Sequence, residues 1–348
     1  MKLSHLSKSI FVLLVLIIGL SSIAVAQEAK KPKTKTKKPL PTGTPILWRD
    51  PGDISKRDMQ WGPGAADIAP VAPFTFVKED PTGASPKFSV KDARGVNWNV
   101  KFGVEAQSET VATRLVWAMG YFAEEAYYLE RAEIQNLPRL SRGEEFVNGS
   151  VIRGARFEPR RKGVRRGAIW DWLKNPFVGT RELDGLKVLM VLLANYDTRL
   201  DNNRVIYDKH PNTGEMEARY VVTDIGATLG KVGGLGGKRI KNSLPEFQAS
   251  KFIVAVDKGM VEFDYSTTPK GAGKFASLFK PSYGKSQANK EKAMRYIPLE
   301  SARWIAKMLS ELSDDQLHDA FRAAGYDDAT RKGFVKALRE RIKALRDL

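Results

Sequence analysis

The chain has no cysteine and only three histidines, His5, His210 and His318, among 348 residues. The first absence excludes disulfides, thiolate metal sites and cysteine nucleophiles, and the second excludes a histidine-rich metal centre. Long apolar runs are also scarce. The clearest, Ile10 to Leu20, stands at the N-terminus and is short for a membrane-spanning helix. No internal repeat is present. The aromatic-interleaved basic pattern of single-strand binders is missing, so no specific nucleic-acid partner is expected. Acid is in deficit: 57 Lys and Arg face 40 Asp and Glu, a formal charge of +17. An apolar content of 42% excludes general disorder and suffices for a sizeable core.

Lys2 and Lys8 precede the apolar run, and Ala24-Val25-Ala26 forms a small-x-small site before Gln27. This is the layout of a secretory signal. Residues 1–26 are therefore expected to direct export to the periplasm or the exterior and be removed; an uncleaved membrane anchor is the alternative. Residues 27–65 are expected to be a basic, Pro-containing linker up to about residue 45 and then an irregular segment. Within the linker, Lys30 to Pro39 is basic and Pro-punctuated, hence extended. Attraction to an anionic membrane or wall polymer would contribute about 1 kcal/mol per Lys. The irregular segment has Ile46, Leu47, Trp48, Met59 and Trp61 packed on the domain.

Period-two alternation predicts strands at Phe74–Val77, Lys87–Lys91 and Val96–Phe102, a three-stranded antiparallel meander. A helix from Ala106 to Met119 ends at Gly120. Two further strands are expected near Ala126–Leu129 and Ser150–Arg153, with a connection near Phe157-Glu158-Pro159. These form a β-rich half, 66–158. The half from 159 to 348 reads as α-rich. It holds a basic cluster (Arg160, Arg161, Lys162, Arg165, Arg166) suited to an anionic acceptor or to plain solvation. Trp170, Trp172 and Phe177 read as core. Thr180 caps a buried helix running to Leu193, and helices follow from Pro298, from a Ser313–Gln316 capping box, and from Asp328 to Leu345.

The chemistry concentrates in Asn195-Tyr196-Asp197-Thr198-Arg199-Leu200-Asp201-Asn202 and Thr223-Asp224-Ile225-Gly226. Strand-like Arg204–Tyr207 and Ala218–Val222 lie between them, joined by turn residues Asp208–Gly214. Asn202 and Asp224 are equally far from Thr213, so a hairpin turning there sets an amide oxygen beside a carboxylate, with Asp197 close by. Hard oxygen ligands of this kind suit Mg²⁺ held together with phosphates.

Asp-x-x-x-x-Asn, a hairpin, then Asp-x-Gly resembles the catalytic and metal-binding loops of protein kinases, most closely the atypical HipA-type, lipid and secretory-pathway kinases. The resemblance implies an α+β, two-lobed kinase-like fold, with an antiparallel β N-lobe and an α-rich C-lobe. It implies Asp197 as catalytic base, Asn202 and Asp224 as metal ligands, and Arg199 as a contact of the transferred phosphate. It also implies Lys101 on nucleotide phosphates, with Glu109 orienting it. Glu105 is the competing partner, but an acidic residue at a helix mouth is explained by the dipole. The implied activity is phosphoryl transfer from ATP (or another nucleoside triphosphate) with Mg²⁺. Two departures stand: the first turn, Asp80–Pro86, offers only Gly83, plus Ser85 and two prolines, and Asn99 replaces the small apolar residue usual beside the base. The segment Leu229–Arg239 lacks P-loop spacing and reads as an activation-type segment. The alternatives are a pseudokinase-type scaffold, which an ATP-poor compartment favours, and a basic binder of anionic polymer.

Overall fold

The computed structural model describes residues 39–83, 85–232, 239–267 and 281–348. The expected signal peptide (1–26), the Lys-rich stretch up to Lys38 and the glycine-rich Gly233–Lys238 lie outside the described residues. Leu40 to Leu348 form one compact unit. Among the described residues no helix is long and apolar enough to cross a membrane.

The segment that follows the basic linker packs on the domain, as its apolar residues suggested. Thr44–Ile46 is a strand, β1, and the segment up to Gly64 is a strap tied down at many points. Leu47, Ile54 and Met59 are fully buried. Trp48 donates its indole N–H to Met119 O at 2.7 Å and stacks edge-on against Trp304. Arg114 donates to Met59 O and Gln60 O, and Gln316 donates to Ile54 O and Arg57 O. Apolar anchors among Pro and Gly read as irregular in sequence, and here they are what bonds the strap down.

The meander forms as expected from β2 (Phe74–Glu79), β3 (Lys87–Lys91) and β4 (Asn97–Phe102). Helix α1 (Glu105–Ala118) comes next, then β5 (Tyr127–Gln135), a short β6 (Val147–Asn148) and β7 (Val151–Pro159). The strands β5 and β7 are longer than the alternation indicated, and Phe157-Glu158-Pro159, expected as a connection, is still strand. Pairing of β2 with β5, β5 with β7 and β7 with β4 closes five strands into a ring. Trp98, Val100 and Phe102 alternate into its core against Phe74, Phe88, Ile134 and Phe157. Each such buried side chain contributes roughly 1.5–3 kcal/mol. Asn99 and Lys101 point the other way, and α1 packs on that side.

The remainder is less purely helical than expected. A two-residue strand, β8 (Arg165–Arg166), precedes α2 (Arg181–Leu192), whose cap is Thr180 Oγ1 accepting from Leu183 N at 3.2 Å. Strands β9 (Asn203–Lys209) and β10 (Met216–Val222) form the expected hairpin inside a sheet ordered β1-β10-β9-β8. Short β11 (Lys231–Val232) and β12 (Arg239–Ile240) pair, followed by α3 (Leu244–Ala249). A further strand pair, β13 (Ile253–Asp257) and β14 (Met260–Phe263), is joined by β15 (Tyr296–Pro298) after α4 (Pro281–Arg295). Helices α5 (Leu299–Ser310), α6 (Asp314–Arg322) and α7 (Asp328–Arg346) close the chain. The Ser313–Gln316 capping box is present. A second hydrophobic cluster, distinct from the ring's core, joins α1, α2, the hairpin and these helices, with Trp170 and Trp172 inside it. The class is mixed α+β.

Candidate functional site

The hairpin register differs by one residue from the expectation. Asn203 pairs with Val222, so Thr223, not Asp224, stands opposite Asn202. Thr223 donates its N–H (2.7 Å) and Oγ1–H (3.0 Å) to Asn202 O. The turn spans His210–Glu215, where His210 Nδ1 accepts from Asn212 N and Thr213 N. Its centre therefore falls ahead of the position that counting residues suggested. Asp224 follows in the left-handed region, φ +54°, a conformation Asp tolerates better than most residues.

The loop before the hairpin is held from several sides. Helix α2 ends with Asn195 N donating to Met190 O at 2.8 Å. Buried Asn195 accepts Asp197 N at 2.9 Å through Oδ1, and Thr198 Oγ1 meets Tyr265 OH at 2.6 Å. Asn202 Nδ2 donates to Asp197 O at 2.8 Å, which commits the amide nitrogen and leaves Oδ1 without a donor among the described residues. Arg199 Nε lies 3.0 Å from Asp197 Oδ1 and 3.5 Å from Asp201 Oδ1.

On α1, Glu105 and Glu109 are one turn apart, so both carboxylates fall on one face. Lys101 faces them. Its Nζ lies 2.7 Å from Glu105 Oε2 and 3.0 Å from Glu109 Oε2, and is ion-paired with Asp224 Oδ1. Burial favours the neutral amine, but Glu109, Asp224 and Glu105 outweigh it and hold the Lys101 pKa above its ordinary value. Glu105 is pulled up by burial and down by Lys101, Lys241 and Ser85, and settles at about 2. The helix dipole is therefore not the explanation of Glu105: it is a direct partner of Lys101, closer than Glu109.

All six residues singled out in the sequence, Lys101, Glu109, Asp197, Arg199, Asn202 and Asp224, line one cleft of ≈ 400 Å³. An adjoining hollow of ≈ 280 Å³ shares Asn99, Glu124, Glu158, Arg160 and Arg166 with it and has Phe122, Val164, Ile206 and Val221 as apolar walls.

Arg156 and Glu124 were not singled out in the sequence, and Arg166 and Glu158 were read there only as part of a basic cluster and of a connection. Arg156 lies opposite Lys101 on β7, its Nε 3.3 Å from Glu109 Oε2 and Nη2 3.6 Å from Glu158 Oε2. Arg166 bridges Glu158 (2.7 Å) and Glu124 (2.5 Å). Asp224, Lys101, Glu109, Arg156, Glu158, Arg166 and Glu124 thus form one chain of alternating charge. Pairing across the ring creates it, and a single charged residue in a strand pattern carries no such signal. Three cations of the basic cluster have partners within the chain. Arg160 Nε donates to Asn99 Oδ1 at 2.6 Å, Arg161 pairs with Glu125, and Arg166 is committed as described.

Among the described residues no group of three or more His, Asp and Glu could hold a metal by itself. Asn202 and Asp224, whose side chain is half exposed, both line the cleft and are the oxygen donors that could hold Mg²⁺ together with phosphate oxygens.

No protein-family model matches the chain, and no curated protein is similar to it by sequence. Among solved structures, the proinflammatory kinase CtkA of Helicobacter pylori is similar over 80% of this chain and 98% of its own, at 12% identity and a TM-score of 0.42.

Proposed function

We propose that the chain is an exported, kinase-like phosphotransferase that binds Mg-ATP between a β N-lobe, the closed ring with α1, and an α-rich C-lobe. The observation that carries this reading is the convergence of Lys101, Glu109, Asp197, Asn202 and Asp224 on one cleft, from segments up to 123 residues apart. The adjoining hollow, with Phe122, Val164, Ile206 and Val221, suits the flat face of a base.

Asn202 and Asp224 would hold Mg²⁺, which would neutralise charge on the phosphates. Lys101, kept charged by its carboxylates, binds phosphate oxygens. Asp197 accepts the proton of an acceptor hydroxyl. The acceptor oxygen bonds to the γ-phosphorus as the bond to the β,γ-bridging oxygen breaks, and the diphosphate leaves with that electron pair. Arg199, drawn to Asp197, offsets charge on the transferred group. Most of the rate comes from positioning and charge stabilisation. The acceptor is a hydroxyl compound whose anionic character the basic balance favours.

The test is transfer from γ-labelled ATP by the purified chain, with autophosphorylation and mixed hydroxyl acceptors as readout. Loss of label in Asp197→Asn and Asp224→Asn is expected. Transfer that is absent from the parent chain, or unchanged in both variants, overturns the assignment. A scaffold of pseudokinase type is the second reading, favoured by the three carboxylates that occupy Lys101. It predicts no rise in melting temperature with Mg-ATP. The third, an anionic-polymer binder, predicts steeply salt-dependent binding that survives loss of Asp224.

A further inference from the structure

Glu105 is the best-connected carboxylate in the cleft. Its Oε2 accepts from Ser85 Oγ at 2.6 Å and lies 2.7 Å from Lys101 Nζ, while its Oε1 is ion-paired with Lys241 Nζ. The three donors come from three separate parts of the chain: the β2–β3 turn, β4, and the segment after β12. Ser85, Lys101 and Glu105 all line the cleft.

Orientation of Lys101 does not account for this. Glu109, fully buried and shared with Arg156, already fixes the ammonium. Nor does that role, or the helix dipole, involve Ser85 or Lys241. Two ammonium groups and a hydroxyl converging on a pair of anionic oxygens is the chemistry of an oxyanion site, and phosphate oxygens accept the same donors.

We propose that Ser85, Lys101 and Lys241 form a cage for a phosphate group of the nucleotide, and that Glu105 fills it as a built-in competitor until ligand arrives. The proposal rests on the reading of the cleft as a nucleotide site. It assigns Ser85 the contact that a glycine-poor turn cannot make through backbone alone. It also makes Lys241 a binding residue, delivered by the segment that follows Asp224. On binding, phosphate oxygens take over the three donors and the Glu105 carboxylate turns outward. No covalent bond changes.

The experiment is calorimetric titration of the full chain, as parent, Glu105→Gln, Lys241→Met and the double variant, with Mg-ATP and, separately, with magnesium tripolyphosphate, which lacks the base. Glu105→Gln is expected to bind both ligands about tenfold more tightly, the scale of one charge-assisted hydrogen bond. Lys241→Met should bind both more weakly, and the double variant should lose the gain. Equal or weaker binding by Glu105→Gln, or a gain that survives Lys241→Met, overturns the cage. If Glu105→Gln fails to fold, as a thermal melt would show, partly exposed Lys241 still decides: unchanged affinity in Lys241→Met overturns the proposal. Binding by the parent without these shifts removes the cage and keeps the nucleotide reading. No binding by any of the four chains removes both.

Discussion

Lys101 on β4 and Arg156 on β7 are direct cross-strand neighbours, and both reach the same oxygen of Glu109, at 3.0 and 3.3 Å. Two buried cations side by side draw on that shared carboxylate, with Glu105 and Asp224 as further partners of Lys101 and Glu158 as a further partner of Arg156. Removing it leaves both charges less compensated out of water, whereas removing one cation along with it relieves much of the cost.

Glu109→Gln is therefore expected to destabilise the fold by roughly 3–5 kcal/mol, the range for breaking a buried ion pair. Glu109→Gln with Arg156→Met should recover a substantial part. Urea unfolding of the two variants checks this, and a double variant no more stable than the single one would mean that Glu109 is not what holds the two cations together.

Asp224 combines a functional carboxylate with a left-handed backbone, φ +54°. Asn accepts that conformation and Ala does not, so Asp224→Asn should unfold close to the parent while Asp224→Ala loses about 1 kcal/mol more. Both should lose Mg-dependent nucleotide binding. Urea midpoints and calorimetry together separate the backbone effect from the chemical one. Equal stability of the two variants would deny the strain.

The chain's local signals were strong where physics is local. The alternation Trp98-Val100-Phe102 marks β4, Thr180 and Ser313 mark helix starts, and the Asn195–Asn202 and Thr223–Gly226 pair frames a hairpin; all four features are present. What the sequence withheld depends on distant pairing. Closure of the ring is set by β4 against β7, and only that closure brings Arg156 beside Lys101. Leu47 and Met59 of the strap were expected to pack on the domain and do, but Ile54 and the strap's course have no period to follow. The one-residue offset of the hairpin came from His210, whose side chain builds the turn earlier than counting implies. Glu105 was discounted for standing at a helix mouth, a position that is ambiguous until its partners are known.

Glu124 gives a pH signature. Burial, with Glu158 adding repulsion, pushes its carboxyl up to about 7 despite Arg166 and Arg156. A carboxyl whose pKa is raised by folding favours the fold at low pH. Its contribution is present below about 4.5 and is lost as pH rises through about 7, an effect of up to roughly 3 kcal/mol. Glu124→Gln, permanently neutral, should flatten the stability profile between pH 5 and 8 and raise stability at pH 8 (pH values are about those of the window). Chemical unfolding at several pH values tests it, and an unchanged slope in the variant assigns the titration elsewhere.

Gln316 separates two jobs that one side chain performs. Its Oε1 accepts Ser313 N at 2.9 Å, completing the cap of α6, while its Nε2 donates to Ile54 O at 2.8 Å and Arg57 O at 2.9 Å on the strap. Glu can serve the cap equally well but turns a donor into an acceptor facing two carbonyls. Ser313→Ala is expected to cost about 1 kcal/mol. Gln316→Glu should cost more, about 2 kcal/mol or above, because buried carbonyls lose their donor and meet negative charge. The strap carries β1, which pairs with β10 and so braces the hairpin leading to Asn202 and Asp224. Gln316→Glu should therefore also weaken Mg-nucleotide binding, an effect absent from Ser313→Ala. A Gln316→Glu chain as stable as Ser313→Ala would show that the strap is held by its buried Leu47, Ile54 and Met59 alone, and that the hydrogen bonds to Gln316 are dispensable.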